Sequence, residues 1–312
     1  MRFLAALLLL SVISCVSSTK PPLNPTKTVV EVVELKNLKF SADSFLAART
    51  DLQFQEIPSD PKYMSWAGES VERVNNLVSS DDWVPKVKIK LMFEAAIKGK
   101  NGKVLQVPIS IIDSYQEPLE SSLRIGMLEM KDDKESFQLT VAHEYAHLVF
   151  ENASRRSGVT SSTDGSIPFW PKPVYEGVAD LLASFAFGVD RTASETNWSV
   201  RKIGEFADIN QARNVKDDTV LRASVAFKKM GLIPKYPIYS DWLVQVDRFI
   251  KTNGGVDPYA EGRWFAGVLK KQTQSTEQQK ALVAVLIQKA KSGAPVKDTQ
   301  EFSEQVLRSL KN

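Results

Sequence analysis

His143-Glu144-Tyr145-Ala146-His147 contains both histidines of this 312-residue chain. On a helix, residues four apart share a face. The spacing therefore lets both imidazoles reach one cation, with Glu144 beside them where a carboxylate can polarise a metal-bound water. Two randomly scattered histidines would stand four apart in roughly 1% of chains, and requiring Glu after the first lowers this to roughly 0.05%, so chance is a poor account of the pattern. The flanks also read as helix. Asp132-Asp133-Lys134-Glu135 supplies capping residues and first-turn acids. Leu139, Ala142, Ala146, Val149 and Phe150 form an apolar stripe, and the helix is expected to end near Asn152.

Beyond that helix, residues 152–173 form a polar Ser/Gly/Pro-rich stretch ending in Pro168-Phe169-Trp170-Pro171-Lys172-Pro173, and a second apolar helix is expected over Val174 to Phe187. A catalytic zinc usually takes three protein ligands plus water, so two histidines leave such a site incomplete. With no third histidine in the chain, a carboxylate or, less commonly, another donor must complete it. The best candidate is Glu176, in Val174-Tyr175-Glu176-Gly177-Val178-Ala179-Asp180, with 28 residues between it and His147. Glu176 and Asp180 are themselves four apart and share a face. Both stand in an apolar helix, where a carboxylate needs a cation or a donor to offset desolvation. Gly177 and Ala179 are small enough to let this helix pack closely on the first.

An HExxH followed at this interval by Glu-x-x-x-Asp resembles the gluzincin metallopeptidases, the thermolysin-like branch of the zincins. The ordered match covers residues 123–187: strand, HExxH helix, loop and glutamate helix. The resemblance makes His143, His147 and Glu176 the ligands of one zinc ion, Glu144 the general base, and Asp180 the carboxylate that orients His143. It implies a zinc-dependent peptidase acting on a peptide or protein substrate. The implied fold is α+β and zincin-like: a small mixed sheet with an active-site helix, followed by a mainly helical C-terminal subdomain. Thermolysin uses a downstream histidine to stabilise the oxyanion, and this chain has none left. Other gluzincins use a tyrosine, so Tyr259 and Tyr239, then Tyr236, become candidates, while Arg263 is a candidate for holding a substrate carboxylate. In zincins the substrate pairs with an edge strand beside the active-site helix, a place that Leu123 to Met130 would fill. The segment carrying Trp170 would form a cleft rim.

The rest of the chain is read more coarsely. Val29 to Leu35 alternates without a clear place, and Glu69 to Val78 has helical spacing. Strands are expected over Val87 to Phe93 and Val104 to Ile112, joined by an Asn101-Gly102 hairpin turn, and over Leu123 to Met130. Downstream of about residue 195, helices are expected over Asp241 to Thr252, from Asp257-Pro258 through Leu269, over Gln278 to Lys291 and over Thr299 to Leu310. The expected division is a catalytic domain over residues 28–195 and a helical subdomain over 196–312.

With 43% hydrophobic residues, the chain is long enough to build a substantial core. A net charge of +3 without a standout basic run gives no sign of nucleic-acid binding. The N-terminus is different. Behind Arg2, the run from Leu4 to Ser14 has about a dozen apolar residues, short of the ~20 a spanning helix needs, and reads as a secretory signal. Val12-Ile13-Ser14-Cys15 resembles a bacterial lipobox, with the chain's only cysteine in the lipidation position. Residues 1–15 are then a lipoprotein signal, 16–27 a Pro/Ser/Lys-rich tether, and the expected location is the bacterial cell envelope, held to a membrane by a lipid on Cys15. Val16 after that cysteine weakly favours the outer membrane. The same residues fit a non-catalytic zincin-like binding module, although a purely structural site needs no general base. They also fit a zinc amidase acting on cell-wall peptides. A secreted eukaryotic protease would instead use Asn152-Ala153-Ser154 and Asn197-Trp198-Ser199 as glycosylation sites.

Overall fold

Alternating apolar residues build a mixed sheet in the first third of the chain. The computed structural model describes residues 27–39, 53–93, 95–98, 104–107, 115–117, 120–127, 130, 132–159, 170–192, 202–218, 220–221, 224–225, 228, 237–252 and 254–311. Strands β1 (Val29–Lys39), β2 (Gln53–Pro58), β3 (Lys86–Met92), β6 (Tyr115–Glu117) and β7 (Ser122–Gly126) form a five-stranded sheet in the order β2-β1-β3-β7-β6. β1 pairs with β3, and β3 with β7, in parallel, while β2 and β6 close the sides antiparallel. Parallel neighbours need a crossover. Between β1 and β3 the chain supplies it with helix α1 (Pro61–Asn75), capped by the Asp60 side chain on the Lys62 N–H and started at Pro61. α1 therefore begins eight residues before the expected Glu69, and Leu77 and Val78 fall after its end.

Two expectations about the strands are corrected. The Asn101-Gly102 turn lies outside the described residues. The strands on either side of it, β4 (Ala95–Lys98) and β5 (Val104–Val107), pair antiparallel as a separate two-stranded sheet. The Val87 to Phe93 segment therefore forms no hairpin with Val104. It is a central strand with both edges used, and Val87, Ile89 and Leu91 are fully buried on one face. Nor is the Leu123 segment an edge. Ser122, Leu123 and Arg124 pair with β3 on one side and with β6 on the other, leaving only Ile125 and Gly126 beyond the reach of β6 among the described residues.

The sheet's two faces differ as strand alternation requires. Val32, Val87, Ile89, Leu91, Leu123 and Ile125 point into the main apolar cluster with the helices. Full burial of one such side chain stabilises by roughly 1.5–3 kcal/mol. The opposite face carries Lys88 on Glu56 and Glu31, Lys90 on Glu120, and a small apolar group of Val33, Leu35 and Met92.

Helix α2 (Lys134–Arg156) is capped by Asp133, whose carboxylate accepts from the Ser136 backbone N–H at 3.0 Å. It is buried on all sides from Ser136 through Glu151, rather than along one stripe. A helix covered all round is a central element. Here α1, α3 (Lys172–Phe187), α7 (Thr276–Ser292) and strands β6 and β7 surround it. Helices α4 (Ile209–Arg213), α5 (Pro237–Thr252), α6 (Pro258–Lys270), α7 and α8 (Thr299–Ser309) complete the eight described helices. The apolar cluster is continuous from the sheet through α1, α2 and α3 to Phe265 on α6, Leu286 on α7 and Phe302 on α8. The molecule is α+β, with a small mixed sheet and helices on one of its faces.

α3 and α6 run parallel. Lys172 meets Tyr259 near their N-terminal ends, Gly177 meets Gly262 midway, and Lys270 donates to Ser184 near their C-terminal ends. The midpoint is very close: a Cβ on Gly177 would lie 2.5 Å from the Gly262 carbonyl oxygen. Gly177 thus serves contact with α6, not the close approach to the HExxH helix expected from sequence. A second seam lies where Gly204, at φ +71°, touches Gly267, whose Cβ would meet Gly204 Cα at 2.2 Å.

Candidate metal centre

α2 presents His143 and His147 one turn apart, and α3 presents Glu176 opposite them. The Nε2 atoms of the two histidines are 3.1 Å apart. Glu176 Oε2 lies 3.3 Å from His143 Nε2 and 3.4 Å from His147 Nε2. This donor set can hold a metal ion. Tetrahedral zinc with bonds of about 2.0–2.1 Å requires ligand–ligand edges of about 3.3–3.4 Å, so the observed triangle has the right size for such a cation. Two imidazole nitrogens and one carboxylate oxygen also suit zinc chemically.

Asp180, one turn beyond Glu176, points at the other side of His143. Its Oδ1 lies 2.9 Å from His143 Nδ1, so that nitrogen donates and Nε2 is left facing the donor cluster. Burial opposes charge on His143, but the hydrogen bonds to Asp180 and Glu176 outweigh it and hold its pKa well above the ordinary imidazole value. At His147 burial wins despite Glu176, and its pKa is lowered. Burial pushes the Glu176 carboxyl up, yet hydrogen bonds from both imidazoles hold it far below the usual carboxylate range. Burial and hydrogen bonding thus perturb all three groups in one pocket, which marks a functional-site candidate. Glu144 is buried on the same helix, next to His143. The intervening Tyr145 faces away, its hydroxyl donating to Asn75 Oδ1 at 2.9 Å and tying α2 to α1.

Sequence reading missed two residues here. Tyr175, immediately before Glu176, stacks on His147 with ring centroids 4.0 Å apart and planes 23° from parallel. Its hydroxyl donates to Glu151 Oε1 at 2.9 Å, and both side chains are buried. The available signal was spacing, because Glu151 is one further turn along the face that carries 143 and 147.

The remaining candidates fall elsewhere. Tyr259 stands half-buried in the first turn of α6, with Lys172 Nζ 4.9 Å from its ring centroid. Since Lys172 precedes Glu176 by one turn of α3, Tyr259 lies level with the turn before the donors. Tyr239 lies in the first turn of α5, with no side-chain description, and Tyr236 and Cys15 lie outside the described residues. Arg263 is not available to a substrate: it is 3% exposed, bound to Glu205 at 2.7 Å and Asp257 at 3.3 Å. Trp170 forms no rim either. It is buried, with its ring 5.0 Å from Phe302 and 5.9 Å from Phe150. Asn152 stands inside α2 and donates to the Trp83 carbonyl, a poor setting for a glycan. A cleft of about 520 Å³ between α1, α3 and α7 is lined at the far end of α3 by Phe185 and Ala186, away from the donors.

No family model matches the chain, and searches of curated proteins and of solved structures return no match.

Proposed function

We propose that this protein is a zinc-dependent metallopeptidase of gluzincin type on a zincin-like fold, and that His143, His147 and Glu176 hold one zinc ion. The observation that carries the proposal is the triangle of three donor atoms with edges of 3.1, 3.3 and 3.4 Å, contributed by two packed helices. Zinc held there would supply Lewis acidity, acidifying water and polarising a peptide carbonyl. Glu144 takes the proton of the attacking water and returns it to the leaving amine. Asp180 keeps His143 in the tautomer that leaves Nε2 to the cation. Tyr259, at the level of the α3 turn just before Glu176, would serve as the oxyanion donor. An extended substrate would pair at the sheet margin formed by β6 or by Ile125 and Gly126 of β7, not along Leu123.

The lipid anchor at Cys15 and the envelope location belong to the same proposal and rest on the sequence alone. Mass spectrometry of the mature N-terminus tests them. The enzymatic reading is tested by Glu144→Gln, which is expected to abolish hydrolysis while leaving zinc content unchanged. Near-wild-type turnover in that variant would remove Glu144 from the mechanism.

A further inference from the structure

The two histidines of the donor triangle are held by different means. His143 is oriented by a carboxylate on its second nitrogen. His147 Nδ1 is buried and has no hydrogen-bond partner among the described residues. What His147 does have is the Tyr175 ring, 4.0 Å away and nearly parallel. That ring is fixed in turn by its hydroxyl, which donates to Glu151. Glu151 is four residues after His147, so both lie on one face of α2, and the tyrosine from α3 is bracketed between them.

We propose that Tyr175, clamped by Glu151, is a positioning residue that sets the plane of His147 for metal ligation. The inference rests on the reading of His143, His147 and Glu176 as metal ligands. The physical argument is steric and geometric. An imidazole without a second hydrogen bond is free to turn about its Cβ–Cγ bond, and a flat ring against one face blocks that rotation. Packing alone does not explain the arrangement. A phenylalanine would fill nearly the same volume without requiring a buried carboxylate, whose desolvation is costly unless it is hydrogen-bonded. The carboxylate at 151 and the hydroxyl at 175 make sense together as a clamp on the ring's position. The pair also joins α2 to α3 beside Glu176, so the same contact registers the two helices that supply the ligands.

The test uses Tyr175→Leu, Tyr175→Phe and Glu151→Gln in the full chain, with folding verified by circular dichroism. Zn²⁺ affinity is measured by chelator competition, and ligand geometry is read from the visible spectrum of the Co²⁺-loaded protein. Tyr175→Leu is expected to weaken Zn²⁺ binding by about 10–100-fold, the usual range for residues that orient metal ligands, and to shift the Co²⁺ bands. Tyr175→Phe keeps the stack but loses the clamp, and is expected to lose a few-fold in affinity. Glu151→Gln retains an acceptor for the hydroxyl and is expected to stay close to wild type. Wild-type affinity and an unchanged Co²⁺ spectrum in Tyr175→Leu would overturn the proposal. If Tyr175→Leu fails to fold, Tyr175→Phe decides: shifted bands with weaker binding support the clamp, and unchanged bands overturn it. A wild-type protein that binds no Zn²⁺ would instead overturn the metal-site reading itself, and the clamp with it.

Discussion

The two faces of α3 show how one helix meets two demands with opposite chemistry. Toward α2 it presents Glu176 and Asp180, one turn apart, each engaging His143 from a different side. Toward α6 it presents Gly177, where even a methyl group would collide with the Gly262 backbone. The first face carries chemistry in what its side chains offer. The second carries position in what its side chain lacks. Adjacent residues, Glu176 and Gly177, belong to different faces because successive helical residues are turned by about 100°. The position of the donors therefore depends on a backbone contact on the other side of the same helix.

Breaking the donor face should have the largest effect. Glu176→Gln removes the negative ligand and should weaken Zn²⁺ binding by more than about 100-fold, beyond the loss typical of an orienting residue. Equilibrium dialysis with zinc checks it. Asp180→Asn should cost about 10–100-fold in the same measurement, since it disturbs only the orientation of His143. Breaking the glycine face should act on stability first. Gly177→Ala is expected to lower unfolding free energy by about 1–3 kcal/mol, as overpacking does, and to weaken zinc binding secondarily as α3 is displaced. Urea denaturation with and without zinc separates the two effects.

Two smaller effects sharpen the contrast by lying outside both faces. Gly68 in α1 has open space around it, so Gly68→Ala should stabilise by about 0.5–1 kcal/mol, opposite in sign to Gly177→Ala. Glu69 joins α1 to α2, and hydrogen bonds from Lys134, Gln138 and Arg73 lower its pKa from 4.5 to about 2. A depressed carboxyl pKa contributes stability above the unfolded value, and this is lost as pH falls from about 4.5 through about 2. Glu69→Gln should flatten that part of the acid limb slightly, the side chain being partly solvent-screened. Urea midpoints measured across that pH range provide the check.

Much of the helical framework was legible because helix starts and stops are local. Asp133 and Asp257 cap where the residue types suggest, and the spacing of 143, 147, 176 and 180 specifies which faces meet. Legibility failed where partners are remote in sequence. Nothing near Val87 says that its strand is flanked by β1 and β7, so a local turn signal at Asn101-Gly102 suggested the wrong neighbour. Arg263 looked available because Glu205 lies 58 residues away, and Trp170 looked like a rim because Phe302 lies on the last helix. Tyr175 is not legible as a site residue because stacking leaves no mark on helical periodicity.

We propose above that the donor face holds zinc for hydrolysis and that Glu144 handles the proton. The most direct test is digestion of a mixed peptide library by wild-type protein and Glu144→Gln, both loaded with one zinc per chain. Cleavage by the wild type and none by the variant is expected. Equal cleavage by both, or no cleavage by the zinc-loaded wild type, would contradict the proposal.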